Sequence, residues 1–215
     1  MSAVDLVQGS DAWLYARVGS LGASRVADAL AKTKSGWGAS RANLMAELIA
    51  ERLTDEPAER FTSAAMQWGA EREAEARAAY EFHTDVDVAV IGLFRHPTIE
   101  GTHASPDGLV ADAGLVEIKC PNTATHIDTL LGRKVPAKYV TQMQWQMACT
   151  GRRWCDFVSF DPRMPEAMRL FVSRVARDEA LIAEMEAEVA TFLAELAGKV
   201  AELRALFSGD ARAAA

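Results

Sequence analysis

Ser105-Pro106-Asp107-Gly108 is followed, nine residues beyond Asp107, by Glu117-Ile118-Lys119-Cys120-Pro121. Alternate side chains of a β-strand share a face, so Glu117 and Lys119 project together, and a hairpin closing over Ala111 to Gly114 returns that face toward Asp107. Two carboxylates and an ammonium then converge. Such an oxygen-rich site suits magnesium, which binds through one or two carboxylates and keeps several waters. An ion held there stabilises charge on a phosphodiester and lowers the pKa of a water, while the lysine orients or deprotonates that water. The predicted chemistry is phosphodiester hydrolysis. Spacing alone leaves a second reading open, a surface hairpin with a cross-strand ion pair. Against it, Leu115-Val116-Glu117-Ile118-Lys119-Cys120 is otherwise apolar, and unpaired charges in such a strand are costly to bury.

The elements that must position these residues can be read from periodicity. Residues 22–31 suggest a short helix with Ser24 as N-cap, then a loop through Lys32-Thr33-Lys34-Ser35-Gly36-Trp37. A helix over about 40–53 has Leu44, Leu48 and Ile49 on its apolar side. Another covers about 63–82. At about 100° per residue, Met66, Gly69, Ala70, Ala76 and Tyr80 cluster around Glu73, whereas Glu71 and Glu75 point away. Glu73 is therefore predicted to face inward. From 86 to 120 the pattern is β: VDVAVIGLF, THASPDGLV and LVEIKC, the last two forming the hairpin. A helix over about 137–149, strands at RWCDFVSF and MRLFVSRV, and a long helix over about 177–207 complete the chain, and the tail 209–215 reads as disordered. This order predicts an α/β fold, a mixed central sheet flanked by helices, in one domain over residues 1–208.

Composition narrows the function classes. The chain has 215 residues, half of them hydrophobic, enough for a sizeable core. No apolar stretch has the length of a membrane span and no leader pattern opens the sequence, so the expectation is a cytoplasmic protein without a membrane partner. Cys120, Cys149 and Cys155 form no CxxC pair and read as reduced, partly buried thiols. A net charge of −7 argues against a nonspecific nucleic-acid coat. Residues 17–41 nevertheless hold Arg17, Arg25, Lys32, Lys34 and Arg41 against Asp28 alone, whereas 177–215 carry eight acids and four bases. That asymmetry fits either a local grip on DNA or ordinary solvated faces. Trp13, Trp68 and Trp145 fit apolar helix patterns and read as core, while Trp37, in a glycine-flanked loop with lysines, is the better candidate to touch DNA.

Taken together, QGSDAWLYARVGSLGAS, WGAEREAEAR, SPDG, EIKCP, YVTQMQWQM and FVSFDPRM resemble, in order and spacing, the lambda-exonuclease or YqaJ-type viral recombinases of the PD-(D/E)xK nuclease superfamily, over about Gln8 to Asp178. The resemblance implies a restriction-endonuclease-like core with Asp107, Glu117 and Lys119 catalytic and the Ile118 carbonyl as a further metal ligand. It also implies magnesium as cofactor, with manganese able to substitute. Glu73 would then lie in the outer shell of the metal or bind a second ion; a structural pair with Arg77 is the alternative. Gln142 would orient the nucleophilic water or hold the scissile phosphate, with Gln146 one turn on, although a helix-surface glutamine is also compatible. Arg17, Ser24 and Ser105 would bind a terminal 5′-phosphate.

The activity implied is exonucleolytic degradation of double-stranded DNA ends, 5′ to 3′, releasing 5′-mononucleotides and leaving a 3′ single strand for phage-type recombination. A homotrimeric ring and a single-strand annealing protein as partner are implied too. A chain of this length has a radius of gyration of roughly 17 Å, so encircling a duplex would need several copies. Two other readings stay open: an endonuclease of the same superfamily, and a non-catalytic DNA-end clamp. An iron–sulfur nuclease would need a cysteine cluster that this chain lacks.

Overall fold

The computed structural model describes residues 3–4, 6–34, 36–58 and 63–208. In chain order the elements are β1 (Ala3–Val4), α1 (Asp11–Tyr15), β2 (Leu21–Gly22), a 3-10 turn (Ala23–Arg25) running into α2 (Val26–Ala29), β3 (Lys32–Thr33) and β4 (Gly36–Trp37). Then come α3 (Ala39–Thr54), α4 (Ala64–Thr84), β5 (Val88–Ala89), β6 (Leu93–Arg95), β7 (Thr102–Ala104), β8 (Gly108–Val110) and β9 (Gly114–Lys119). The chain continues through α5 (Thr123–Gly132), α6 (Ala137–Thr150), β10 (Trp154–Phe160), a second 3-10 turn (Glu166–Met168), β11 (Leu170–Ala176) and α7 (Glu179–Ser208). The predicted tail at 209–215 and the side chain of Met66 lie outside the described residues.

The central sheet is mixed, as expected, in the order β11-β10-β9-β8-β5, with β9 and β10 parallel and its other neighbours antiparallel. A second sheet, β1-β6-β7-β2, was not predicted. It arises because two expected strands break and change sheets. VDVAVIGLF splits at Val90 to Gly92, where a Cβ on Gly92 would fall 2.1 Å from the Leu6 carbonyl oxygen, so the N-terminal segment crosses there. THASPDGLV splits at Ser105-Pro106-Asp107, where proline offers no N–H to a ladder. Asp107 thus sits where the chain passes from one sheet to the other.

β9 is buried on both faces. Leu115 joins the larger core with Leu44, Leu48, Met143, Phe157 and Phe192, beneath α3, α6 and α7. Val116, Ile118 and Cys120 join a second core with Ala76, Tyr80, Val158 and Phe160, beneath α4. The predicted hairpin forms with Gly108 opposite Val116 and Val110 opposite Gly114. Gly108 is required by packing, because a Cβ there would lie 2.1 Å from Val88 Cγ1 on β5.

Two further expectations are corrected. Ser24 is not an N-cap: it lies inside the 3-10 turn, exposed, with Gly22 preceding that turn and Arg25 preceding a four-residue α2. Its strand pairs with β7 as far as Gly22 and exits directly into the turn, leaving no room for a cap there. Helix α5 went unpredicted, although Asn122 caps it, its side-chain oxygen accepting from the Thr125 N–H at 2.9 Å.

Candidate active site

Glu117 is buried near the centre of the sheet, where an isolated carboxylate would be costly. Strand alternation puts it on the face covered by α6, and three donors meet it. Gln142 Nε2 donates to Oε1 at 2.6 Å, Gln146 Nε2 donates to Oε2 at 2.5 Å, and the Lys119 ammonium closes an ion pair with Oε1. Because a carboxylate only accepts, both glutamine amides must present their nitrogen to it. The four-residue spacing of Gln142 and Gln146 places them on one helix face, so one helix supplies both contacts. Tyr139 precedes them on that face, stacks on Phe157 at 5.4 Å, and has Lys119 Nζ 5.3 Å from its ring centroid.

Asp107 enters from the opposite side of the hairpin. Its Oδ2 accepts the Ile118 N–H at 2.6 Å, just beyond the end of β8. In a strand the carbonyl of a residue points to the same edge as its N–H, so the Ile118 carbonyl is directed to the Asp107 side. Burial pushes the Asp107 carboxyl well above its usual range, and the neighbouring Glu117 charge pushes it further, against the opposing pull of Lys119. Burial alone would lower the Lys119 ammonium, but Glu117 and Asp107 outweigh it and hold it above its ordinary value.

The raised Asp107 carboxyl has a stability consequence. A folded-state value above the unfolded one means that the native protein holds this proton more tightly, so stability falls as pH rises through that interval. Above the ordinary carboxylate range the shift therefore opposes folding of the metal-free chain. Asp107→Asn, which keeps an acceptor for Ile118, is therefore expected to raise the melting temperature in EDTA at pH 8, by about 2–4 °C for each kcal/mol relieved. The gain should shrink as pH falls into the carboxylate range. Thermal melts across pH check this; a variant less stable than the parent at pH 8 would contradict it.

Glu73 reaches the site from the other face of the sheet. It is partly exposed and pairs with Arg77 at 2.6 Å, the structural pairing left open by the sequence, yet its charge also acts on Asp107. The buried face of α4 is centred on Ala76 and Tyr80, whereas Ala70, expected inward, is exposed. Glu73 borders that face.

Arg17 and Ser105 are brought together, through residues that periodicity had assigned elsewhere. The Arg17 guanidinium lies 3.8 Å from the centroid of the Trp13 ring, and Trp13 Nε1 donates to Ser105 Oγ and to the Gly92 carbonyl, both at 3.2 Å. Trp13 is thus a partly exposed linker rather than core. Ser24 follows β2, which pairs with the β7 strand that leads into Ser105. Trp145 is fully buried, as expected, and donates to Thr102 Oγ1 at 3.0 Å. Trp68 is partly exposed, with Arg72 and Arg163 over its ring. Trp37 is 48% exposed, with Lys32 and Arg41 at 5.0 and 4.1 Å from its ring centroid.

The basic segment 17–41 is partly neutralised within the fold. Lys32 pairs with Glu188 and Arg41 with Glu195, both acids of α7, and Arg25 pairs with Asp28 and Glu47. Two of the five bases are thus met by acids of α7.

Among the described residues no three His, Cys, Asp or Glu side chains converge as a ready metal cluster. The donor set at β9 is smaller, two carboxylates and one backbone carbonyl. It fits a hard divalent ion that keeps several waters, and two carboxylates opposed by one ammonium leave negative charge for such an ion to offset. No described helix is long and apolar enough to cross a membrane. The three cysteines are free and buried, as expected.

A mixed sheet with helices on both faces and this charged strand edge defines a nuclease-type α/β core. Residues 12–153 match the YqaJ-like viral recombinase domain, and the chain belongs to that family. It is similar to LHK-Exo, an alkaline exonuclease of Laribacter hongkongensis, at 52% identity, covering 93% of this chain and 99% of that one. The TM-score is 0.87 for LHK-Exo in complex with dAMP and 0.86 for the other structure of that enzyme. A phage-related exonuclease of Haemophilus somnus 129PT shares the fold, with a TM-score of 0.71 at 16% identity, over 86% of this chain and 96% of that one. No curated protein matches.

Proposed function

We propose that this protein is a magnesium-dependent exodeoxyribonuclease that degrades linear double-stranded DNA from the 5′ end, with manganese able to substitute. It would release 5′-mononucleotides and leave a 3′ single strand for phage-type recombination. The observation that carries this reading is the buried Glu117, held by Lys119, Gln142 and Gln146 beside Asp107. Nothing in a purely structural hairpin calls for so many donors on one buried acid. Support comes from LHK-Exo, an alkaline exonuclease whose complex with dAMP contains a deoxynucleoside monophosphate, the product class expected here.

Asp107, Glu117 and the Ile118 carbonyl would hold the ion, which when bound supplies charge neutralisation at the phosphodiester and a more acidic water. The protein's own residues do the positioning. Gln142 and Gln146 fix both oxygens of Glu117 and so set the direction of its lone pairs. Lys119, held as ammonium by the two carboxylates, orients the attacking water or meets charge developing on the phosphate. Glu73 contributes from the outer side, limited by its pairing with Arg77.

Linear and closed circular duplexes, each incubated with magnesium or with EDTA, test the proposal directly. Loss of linear duplex only, and only with magnesium, is expected. Cleavage of the circle would indicate an endonuclease, and intact DNA throughout would indicate an end clamp. A homotrimer encircling DNA, and a single-strand annealing protein acting on the exposed strand, complete the proposed setting; light scattering checks the first.

Arg17, Ser24 and Ser105 are proposed to receive the terminal phosphate. Linear duplex with a 5′-phosphate should then be degraded about ten- to a hundredfold faster than the 5′-hydroxyl form, since a charge-assisted contact is worth roughly 1.5–3 kcal/mol. Arg17→Ala should erase most of that ratio. Equal slowing on both substrates would remove the pocket assignment.

A further inference from the structure

His103 lies on β7, buried, two residues before Ser105 and in contact with Arg17, two of the three residues proposed to meet the terminal phosphate. Arg17 Nε donates to its Nε2 at 3.0 Å, and its Nδ1 is 2.8 Å from Ser20 Oγ. A guanidinium N–H can only donate, so Nε2 must accept, and a neutral imidazole then carries its proton on Nδ1, facing the Ser20 hydroxyl. The ring is held in one tautomer and one orientation. Space for this arrangement is made by β2, whose Gly22 pairs in parallel with His103; a Cβ on Gly22 would lie 3.1 Å from His103 Nε2 and 3.5 Å from Arg17 Nη2. The guanidinium carbon also lies over the Trp13 ring, 3.8 Å from its centroid, and Trp13 donates to Ser105.

We infer that His103 is a positioning residue for recognition of the DNA end: it fixes the rotation of the Arg17 guanidinium over the Trp13 ring, so that the terminal nitrogens are the ones a 5′-phosphate meets. A planar fork recognises phosphate through paired N–H groups only in the right orientation, and a long arginine side chain loses entropy when ordered. With Nε committed to His103 and the guanidinium carbon held over the Trp13 ring, much of that ordering precedes DNA binding. The inference rests on the proposed phosphate pocket, and its test separates the two.

Degradation rates of 5′-phosphate and 5′-hydroxyl duplexes are measured for the parent, Arg17→Ala, His103→Leu and His103→Gln, and the ratio is taken within each protein. A general loss of folding or of chemistry then cancels. His103→Leu, which fills similar space without an acceptor, should reduce the ratio at least about threefold, within the range of a hydrogen bond to a charged group. His103→Gln, whose side-chain oxygen can accept from Arg17 Nε, should restore most of it. If Arg17→Ala collapses the ratio while His103→Leu leaves it unchanged, the pocket stands and the role of His103 is overturned. If Arg17→Ala leaves the ratio unchanged, the pocket itself falls and takes the inference with it. A ratio lowered equally in the Leu and Gln variants overturns the hydrogen-bond account.

Discussion

Asp107→Ala and Glu117→Ala should each reduce hydrolysis of linear duplex by more than about 10³-fold while DNA affinity changes little. The expectation follows from what the proposed ion would supply, charge stabilisation at the phosphodiester and a more acidic water; losing both would be worth several powers of ten in rate. The two variants should differ in stability. Asp107→Ala removes a carboxylate that burial and Glu117 already disfavour in its ionised form. Glu117→Ala instead strands the buried amide of Gln146 and the partly buried one of Gln142, and leaves the Lys119 ammonium without its partner. Unsatisfied buried polar groups cost about 1–3 kcal/mol each, so this variant should melt several degrees lower, and Glu117→Gln serves as its better-packed control. Single-turnover cleavage and fluorescence anisotropy with the same labelled duplex separate chemistry from binding. Near-normal cleavage by either alanine variant would end the metal-site reading.

Lys119→Ala should lower turnover by about 10² to 10⁴, the range for losing a positioned acid–base or charge-stabilising group, with little change in magnesium requirement. Glu117 keeps both glutamine donors in this variant, so its melting temperature should stay within a few degrees of the parent. The direction of the Lys119 shift adds a second observable. Because the carboxylates hold the ammonium above its ordinary value, the lysine stays charged through neutral and moderately alkaline pH. A role as charged donor predicts that the pH–rate profiles of the parent and of Lys119→Ala share their inflections below about pH 10 and differ in height. Unchanged turnover at saturating magnesium would remove Lys119 from the chemistry.

Much of this site was legible in the sequence because it is local. Glu117 and Lys119 share a face through strand alternation, Gln142 and Gln146 share one through helix periodicity, and the hairpin between Asp107 and Glu117 spans few residues. Where tertiary contacts compete with local pattern, the reading failed. The apolar run VDVAVIGLF looks continuous, but the passage of Leu6 against Gly92 divides it between two sheets. Ser24 suits a helix start by residue type, yet pairing of β2 with β7 ends the strand immediately before a 3-10 turn. For the basic stretch 17–41 the sequence leaves a local grip on DNA and ordinary solvated faces both open, and only the fold shows α7 laying Glu188 and Glu195 against Lys32 and Arg41.

The sequence by itself determined which acids and bases share an element face, the hairpin that carries them, and a mixed sheet flanked by helices. Only the tertiary structure decided which second element covers each face: α6 over Glu117, α4 and Glu73 from the opposite side, and the His103, Arg17, Trp13 and Ser105 chain between β2 and β7. The physical reason is that periodicity is a property of neighbouring backbone dihedrals, whereas the partner of a buried charge is selected by packing and hydrogen-bond satisfaction between segments far apart in the chain.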